Sequence, residues 1–194
     1  MEWKSGMTAT SRRSARTRVL GFAGWSGSGK TTLIERVVAV LAGRGLAVSL
    51  IKHAHHEFDI DQPGKDSYRH RHAGCREVLV SSARRWALIH ELRDAPEMTL
   101  DALLGKLSAC DIVLVEGFKR EPIDKIEVYR GGASESLLCM NDPHIVAVAT
   151  DVAELDVGGL PRLDLNSPEQ VADFVMAHCL ASAEGQDVSE APGS

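Results

Sequence analysis

Cysteine and long apolar runs are both scarce in this 194-residue sequence. The four cysteines stand far apart without C-x-x-C spacing, at Cys75, Cys110, Cys139 and Cys179. A disulfide framework or a closed zinc site is therefore not expected, and a reducing cytosol is the natural compartment. Crossing a bilayer takes about 20 consecutive apolar residues, and the basic N-terminus has no apolar core of a secretory signal. The sequence predicts a cytoplasmic protein that has no membrane anchor.

Basic residues are also fewer than acidic ones, since the sequence has 22 Lys and Arg residues and 27 Asp and Glu residues. The resulting net charge of −5 argues against a general nucleic-acid binder. A hydrophobic content of 44% is ordinary for a globular protein and sufficient for one core. We expect a flexible extension over residues 1–16, a single folded domain over 17–182, and a disordered tail over 183–194.

The most informative segment is Gly24–Thr31, which reads G-W-S-G-S-G-K-T between an apolar run and an amphipathic helix. This is the spacing of a phosphate-binding loop (P-loop), in which glycines allow several backbone N–H groups to converge on an anion. Lys30 would reach the β- and γ-phosphates of a nucleoside triphosphate, and the Thr31 hydroxyl would hold Mg²⁺. The expected nucleotide contacts are Gly24, Ser26, Gly27, Ser28, Gly29, Lys30 and Thr31.

Strand-like and helix-like segments alternate along the chain, and the strands are apolar throughout. This pattern predicts a three-layer α/β fold of the P-loop NTPase type, with a mostly parallel, mixed sheet between helices. The expected strands cover 18–23, 46–51, 111–116, 125–129 and 145–149, and the expected helices cover 30–42, 66–74, 99–107 and 168–180. Glu77–Ser81 and Trp86–Leu92 are predicted to form an additional β-hairpin. Ligands bind such sheets beyond the carboxyl ends of the strands.

Two acidic residues are candidates for the chemistry at that edge. Glu116 ends an apolar strand, where a P-loop site needs a carboxylate for Mg²⁺, although a solvated strand-end acid is the simpler interpretation. Asp59 lies in the polar segment 52–67, where it, or Asp61, could orient the attacking water or share the metal. We therefore assign Lys30, Asp59 and Glu116 as the catalytic groups. Thr31, Asp59 and Glu116 are the expected metal ligands.

Other residues remain open between two interpretations. Three histidines, His53, His55 and His56, could bind nickel or zinc, but solvated or phosphate-contacting imidazoles are the favoured interpretation. Asp151 ends a strand close to where GTPases carry a guanine-reading Asn-Lys-x-Asp segment, which this sequence lacks; a simple turn cap is nearly as good an explanation. Trp86 on the hairpin could belong to the core or to a subunit interface.

Four segments together resemble the MobB family, the molybdopterin-guanine dinucleotide biosynthesis adaptor proteins. They are G-W-S-G-S-G-K-T-T, I-K-H-A-H-H-E-F-D-I-D-Q-P-G-K-D-S-Y-R-H, R-W-A-L-I-H-E-L and V-L-V-E-G-F-K-R-E-P-I-D-K-I-E-V. The resemblance extends from about Val19 to Asp151, and its second segment is far more specific than the P-loop alone.

The resemblance implies a cytosolic, homodimeric GTP-binding protein with Mg²⁺ as cofactor and slow GTP hydrolysis. Its implied partner is the guanylyltransferase that joins GMP to molybdopterin; whether molybdopterin itself binds this chain is left open. By position, the residues that carry over as the phosphate and Mg²⁺ loop are Gly27, Gly29, Lys30, Thr31 and Thr32. Glu116 and Asp59 carry over as its acidic groups. The family's hairpin corresponds to residues 85–91 and is expected to help build the dimer. Guanine preference rests on the resemblance alone.

Two functions of other classes use the same P-loop. One is a metallochaperone GTPase that loads nickel or zinc through the three histidines, and the other is a small-molecule kinase. Slow hydrolysis agrees with the lack of an obvious arginine finger, a group worth roughly 10³–10⁵ in rate. Arg69, Arg71, Arg120 or an arginine of a partner could fill that role.

Overall fold

The structure, a computed structural model, describes residues 18–54, 58–132 and 136–181. The expected extension over 1–16 and the tail over 183–194 lie outside these residues. The chain forms two compact units. Unit 1 combines the residues up to Ile51 with those from Ser108 onward, and unit 2 is Lys52–Leu107.

The sheet has six strands in the order β2-β5-β1-β6-β7-β8. The strands are β1 (Arg18–Ala23), β2 (Val48–Lys52), β5 (Ile112–Glu116), β6 (Lys125–Tyr129), β7 (Ile145–Thr150) and β8 (Arg162–Asp164). Four neighbouring pairs are parallel, namely β1–β5, β1–β6, β6–β7 and β7–β8. The predicted α/β class with a mostly parallel sheet flanked by helices is confirmed. The strand β8 was not predicted, and β2 begins two residues later than expected.

The central strands are buried, which is why their sequences show no polar alternation. All five residues of β5 are buried, as are the last four of β1. A parallel strand covered on both faces has no reason to alternate apolar with polar residues. The register pairs Phe22 with Glu116, so β5 ends beside the last residues of β1. This pairing places Glu116 next to the loop that follows β1.

Helices α1 (Lys30–Gly43) and α4 (Pro168–Ala181) cover one face of the sheet. They pack against each other and against β1. Their contact is made by buried residues at helical spacing, among them Leu33, Val37 and Leu41 of α1 with Val171 and Val175 of α4. Burial of apolar surface is worth about 25 cal/mol per Å², so this contact stabilises unit 1.

A second, smaller cluster of apolar side chains includes residues of β7 that point away from the larger cluster formed with α1 and α4. Ile145 and Val148 pack there with Ala23 and Val157, whereas Ala147 belongs to the larger cluster. Successive residues of a strand point to opposite faces, which separates Ala147 from Val148. Ile145 lies with Val148 because the register between β6 and β7 shifts beside it, so that Lys125 pairs with Ile145 and the next residue, Ile126, pairs with Ala147. The short 3₁₀ turn Leu138–Met140 contributes the partly buried Leu138 and Cys139 to the smaller cluster.

Unit 2 contains helices α2 (Asp66–His72) and α3 (Leu100–Leu104) and the antiparallel hairpin of β3 (Glu77–Ser81) and β4 (Trp86–His90). The predicted hairpin is confirmed, although its second strand ends two residues early. The Ser82 hydroxyl stabilises the turn, donating to Arg85 O (3.0 Å) and accepting from Arg85 N (3.2 Å). The Thr99 hydroxyl caps α3, as predicted, by accepting a hydrogen bond from Ala102 N (3.3 Å).

All four cysteines are free thiols, in agreement with the sequence. Burial raises the pKa of the Cys179 thiol to about 11. Burial likewise raises the pKa of Cys139, to about 11, with the nearby Glu127 carboxylate adding to the shift. Among the described residues, no helix combines the length and the apolar character needed to cross a membrane.

Candidate functional site

The P-loop lies between β1 and α1 and is packed closely on β6. Gly24 has φ +151°, and an added Cβ there would lie 2.5 Å from Val128 O and 2.8 Å from Ser28 Oγ. Only glycine fits such a position, since real side chains are not found so close to backbone. The first glycine of the motif is therefore required by the close approach of β6, before any ligand is considered.

The Lys30 ammonium turns back over its own loop. Its Nζ donates to Trp25 O (2.6 Å), Gly24 O (3.0 Å) and Ser28 Oγ (3.4 Å). The first turn of α1, all of it described, carries no acidic side chain. The positive end of the helix and the ammonium therefore act together, and both favour an anion at this loop. Of the other predicted contacts, Ser26, Gly27 and Thr32 are exposed.

Thr31 and Glu116 are brought together, as the predicted metal site requires. The Thr31 hydroxyl donates to Glu116 Oε1 (2.7 Å). Glu116 is 7% exposed at the end of β5, in register with Phe22. A hydroxyl and a carboxylate are the hard oxygen ligands that Mg²⁺ prefers, and Mg²⁺ usually takes only one or two carboxylates from the protein. These two residues fit the ion, and their role as ligands stays a prediction.

Trp25 ties the loop to two neighbouring segments, a role that sequence reasoning missed. Its indole Nε1 donates to Ser136 O (2.9 Å), and Lys119 Nζ lies 4.4 Å from the ring centroid. Stacking of an ammonium on indole is stabilising. The segment that begins at Ser136 is itself held by the fully buried Glu127, which accepts hydrogen bonds from Leu138 N (2.7 Å) and Cys139 N (2.8 Å). The motif leaves the position of Trp25 unspecified, so nothing in the sequence signalled this contact.

Arg130 also lies against the loop and was also missed. It follows β6 directly, and a Cβ added to Gly29 would lie 3.2 Å from Arg130 Nη2 and 3.7 Å from its Nε. Arg130 Nη1 pairs with Asp151 Oδ2 (3.3 Å), while Asp151 Oδ1 accepts from Gly131 N (2.7 Å). The Asp151 carboxylate thus contacts the segment after β6, whereas the turn that follows β7 is bonded by Thr150 Oγ1, which accepts from Val152 N (3.1 Å). The position of Arg130 just past a strand end was the signal available in the sequence.

Asp59 belongs to unit 2, where Arg71 binds it. Arg71, whose side chain is 8% exposed, donates through Nη2 to both carboxylate oxygens of Asp59 (2.8 Å each). It also contacts Asp61 Oδ2 (3.2 Å) and Glu91 Oε1 (2.6 Å). Hydrogen bonds from Arg71 hold the pKa of Asp59 below its usual value. An arginine held by three carboxylates is not placed to act as an arginine finger, and the catalytic role of Asp59 stays a prediction.

The histidine-rich segment is described only in part. His53 Nε2 pairs with Glu97 Oε1 (2.8 Å) in unit 2, whereas His55 and His56 lie outside the described residues. Among the residues that the structure does describe, no three His, Cys, Asp or Glu side chains are grouped so as to hold a metal ion. Trp86, which could have belonged to the core, is 67% exposed on the hairpin.

Comparison with known proteins agrees with this geometry. The family model for MobB, molybdopterin guanine dinucleotide synthesis protein B, matches residues 19–151. The chain belongs to the MobB family. A molybdopterin-guanine dinucleotide biosynthesis adapter protein of Escherichia coli is 47% identical over 164 residues, covering 81% of this chain and 91% of the relative. The protein of the same name from Haemophilus influenzae is 40% identical over 158 residues, covering 81% and 86%.

Solved structures of MobB proteins share the fold. The crystal structure of a molybdopterin-guanine biosynthesis protein B superimposes with a TM-score of 0.66 at 27% identity, covering 84% of this chain and 99% of that one. The structure of Bacillus subtilis MobB gives a TM-score of 0.64 at 24% identity, covering 84% and 97%. The family predicted from the four sequence segments is confirmed.

Proposed function

We propose that this chain is a GTP-binding adaptor that hydrolyses GTP slowly and assists a guanylyltransferase in making the guanine dinucleotide form of the molybdenum cofactor. The observation that carries the nucleotide part is the Thr31–Glu116 hydrogen bond of 2.7 Å beside a Lys30 ammonium folded over the P-loop. Membership of the MobB family supports the place in molybdopterin guanine dinucleotide synthesis.

Phosphate binding would exchange one set of partners of Lys30 for another. Its ammonium now donates to two neutral carbonyl groups, of Gly24 and Trp25. Phosphate oxygens carry negative charge, so their bonds to the ammonium add a Coulomb attraction between opposite charges that neutral carbonyl groups do not offer. The loop amides and the N-terminal end of α1 add to the same attraction. Replacing the carbonyl oxygens by phosphate oxygens as partners of Lys30 therefore favours nucleotide binding at this loop.

Mg²⁺ would be held by the Thr31 hydroxyl and the Glu116 carboxylate. When bound, the ion neutralises charge on the phosphate oxygens. Glu116 is kept in place by its backbone in β5, so this ligand is preorganised. Asp59 is a further candidate for the metal or the attacking water, and in that role it would have to give up its contacts with Arg71.

Slow hydrolysis follows from what the described site supplies. Lys30 and the metal pair position and neutralise the phosphates, but Arg71 is occupied by acids of unit 2. An arginine at the transferred phosphate is worth roughly 10³–10⁵ in rate. A partner protein is the natural source of such a group, which suits an adaptor.

The homodimer of the proposal uses the hairpin. Leu79 and Leu88 face each other across the two strands and are 62% and 47% exposed, and Trp86 lies on the same face opposite Ser81. A two-stranded hairpin is marginally stable alone, and an exposed apolar face commonly marks an interaction surface. A second copy of the chain would cover this face.

Substitution of Lys30 tests the nucleotide site. In Lys30→Ala we expect GTP affinity to fall about 10- to 100-fold, the size of a lost hydrogen bond to a charged group. Isothermal titration with GTP and Mg²⁺ measures it, and Lys106→Ala, an exposed lysine of unit 2, is the matched control. Equal affinity in the two variants would remove Lys30 from the site.

Substitution of Glu116 tests the metal site separately. Glu116→Gln keeps the shape of the side chain and removes its charge, so GTP binding should lose most of its dependence on Mg²⁺ concentration. The control is Glu154→Gln, which changes an exposed glutamate. An Mg²⁺ titration identical to that of the unaltered chain would contradict the assignment.

The adaptor role has its own experiment, co-purification with the molybdenum-cofactor guanylyltransferase of the same organism. We expect the two proteins to co-elute from gel filtration, and the amount retained to change when GTP and Mg²⁺ are added. Independent elution under every nucleotide condition would contradict the adaptor role and leave the nucleotide site unaffected.

A further inference from the structure

We infer that Arg130 and Asp151 form a guanine-reading pair, with the Asp151 carboxylate accepting from N1–H and the 2-amino group and the Arg130 guanidinium donating to O6 and N7. The inference rests on the proposed function, because it names the residues that would select the base of the bound nucleotide. It replaces the missing Asn-Lys-x-Asp segment with a different pair of side chains at the ends of two neighbouring strands.

The pair stands on the side of the loop opposite the metal residues. In the sheet β1 lies between β5, which ends in Glu116, and β6, which is followed by Arg130. The Arg130 guanidinium packs on Gly29, the residue before Lys30. A nucleotide whose triphosphate lies along the loop with Mg²⁺ at Glu116 would extend its base toward β6 and β7. Arg130 and Asp151 are two of the charged side chains in that direction, and Arg162 and Asp164 of β8 border the same cleft as Asp151.

The order of hydrogen-bonding groups in the pair matches guanine. A carboxylate offers about four lone pairs, and Asp151 uses one for Gly131 N and one for Arg130. Arg130 has five N–H donors and is 49% exposed, and Asp151 is 26% exposed, so both present groups to a ligand. From Asp151 to Arg130, the pair therefore offers two carboxylate acceptors and then the guanidinium donors. Guanine presents two donors, the 2-amino group and N1–H, followed by the acceptors O6 and N7.

Adenine does not match this order. It presents an acceptor at N1 and a donor at its 6-amino group, so N1 would face the Asp151 carboxylate and the amino group would face Arg130. A site built to hydrogen-bond a particular group discriminates strongly against an analogue that leaves its polar atoms unpaired. Arginine is also the side chain that most commonly reads the O6 and N7 atoms of guanine.

There is room for a base beside Asp151. A cleft of about 450 Å³ is bordered by Asp151 and Thr150 at the end of β7 and by residues of and after β8, including Arg162, Asn166 and Gln170. Arg130 reaches the edge of this cleft through its ion pair with Asp151. Small-molecule sites are typically clefts of about 300–1,000 Å³. The volume suffices for a purine ring lying against the carboxylate.

An ordinary surface ion pair is the alternative, and the chain contains one for comparison. Arg44 Nη1 pairs with Asp173 Oδ1 (2.7 Å) just past the other end of α1, with the two side chains 33% and 66% exposed. That pair joins the end of α1 to α4, where Arg44 Nη1 also contacts Met176 Sδ (3.2 Å). Exposed pairs of this kind contribute little to stability. The distinguishing features of Arg130 and Asp151 are the packing on Gly29 and the anchoring of Asp151 by Gly131 N.

The test measures binding of GTP, ITP, XTP and ATP by the full chain and its variants. ITP lacks the 2-amino group, and XTP carries an oxygen in its place. We expect the unaltered chain to prefer GTP over each of the others. Asp151→Asn should lose about 10- to 100-fold in GTP affinity, comparable to one bidentate base contact, and gain affinity for XTP, because the new amide can donate to the added oxygen. Arg130→Leu should reduce the preference for GTP over ATP.

Two controls isolate the effect. Asp156→Asn changes an exposed aspartate that likewise accepts a backbone hydrogen bond, from Gly158 N (3.0 Å), and Arg44→Gln breaks the comparison pair; both should leave the GTP preference unchanged. Strong GTP binding with an unaltered preference in Asp151→Asn would overturn the inference while leaving the proposed function in place. Equal loss of all four nucleotides in Arg130→Leu would place that arginine at a phosphate and overturn its role in base reading. Absence of GTP binding by the unaltered chain would instead overturn the proposed function.

Discussion

Unit 1 and unit 2 are stabilised by different kinds of interaction. In unit 1, two helices bury apolar side chains on a six-stranded sheet, and its central strands have almost no exposed surface. In the described part of unit 2, Leu100 is the only apolar side chain that is buried. The centre of unit 2 is instead Arg71, which contacts Asp59, Asp61 and Glu91.

The exposed apolar residues follow the same division. Of the large apolar side chains exposed in the described residues, those in unit 2 are Phe58, Ile60, Leu79, Val80, Trp86 and Leu88. Unit 1 contributes Leu50 and Met140. We conclude that unit 1 has the buried apolar core of an independent domain, whereas unit 2 depends on charge pairs and exposes its apolar side chains.

The largest effect is expected from a cavity in unit 1. Leu114→Ala removes a fully buried side chain of β5 and should cost about 2–5 kcal/mol of the free energy of unfolding. Urea unfolding of the chain at a concentration where it is monomeric measures the change, and Leu88→Ala on the exposed hairpin is the control, with a cost within about 0.5 kcal/mol. Similar costs for the two leucines would contradict the difference between the units.

Acid should weaken unit 2 more than unit 1. Hydrogen bonds from Arg71 lower the pKa of Asp59 from its ordinary 3.8. The pKa of Asp61 is also lowered, since burial, which would raise it, is outweighed by hydrogen bonds from Ser67 and Arg71. A carboxyl whose pKa is lower in the folded chain stabilises it above the unfolded value, and this stabilisation is lost as pH falls through the folded value. The contribution is therefore present above about pH 4 and disappears below it.

Arg71→Gln makes that pH dependence measurable. At pH 7 the variant should melt several degrees below the unaltered chain, because three carboxylates face one another without their cation. Between pH 5 and pH 3 the two melting temperatures, followed by calorimetry, should converge. Arg44→Gln, in unit 1, is the control and should melt at nearly the same temperature as the unaltered chain. A constant difference across the pH range would contradict the assigned cause.

A smaller effect is expected at the start of α3. Thr99→Ala removes the hydroxyl that accepts from Ala102 N and should cost about 1 kcal/mol, the usual value of a helix cap. Hydrogen exchange of the α3 amides measures the local loss. Thr99→Ser keeps the oxygen and should exchange like the unaltered chain; equal exchange in the Ala and Ser variants would contradict the cap.

The smallest effect on folding is expected at Trp86. Because this side chain is exposed, Trp86→Ser should change the free energy of unfolding of the single chain by no more than about 0.5 kcal/mol. The same substitution should shift the proposed dimer toward monomer in sedimentation. The opposite pattern, a destabilised chain of unchanged mass, would show that Trp86 belongs to a core.

Sequence reasoning succeeded where one local pattern determines the outcome. The uninterrupted apolar runs of β1 and β5 predicted central strands, and the motif placed Thr31 where Glu116 could meet it. It failed where contacts between residues far apart in the sequence determine the structure. The strand β8 has only three residues, of which Leu163 alone is buried. The pairing of Asp59 with Arg71, and the packing of Arg130 on Gly29, depend on backbone approaches that no spacing in the sequence records.

Trp25 gives the nucleotide loop a natural optical probe. Indole emission depends on its hydrogen bonds and on nearby charge, and this indole is bonded to Ser136 O with the Lys119 ammonium over its ring. An anion arriving one or two residues away would change that local field. With Trp3 and Trp86 replaced by phenylalanine, the wavelength and intensity of the remaining tryptophan fluorescence should therefore follow binding of the proposed nucleotide in real time, without any label attached to the chain.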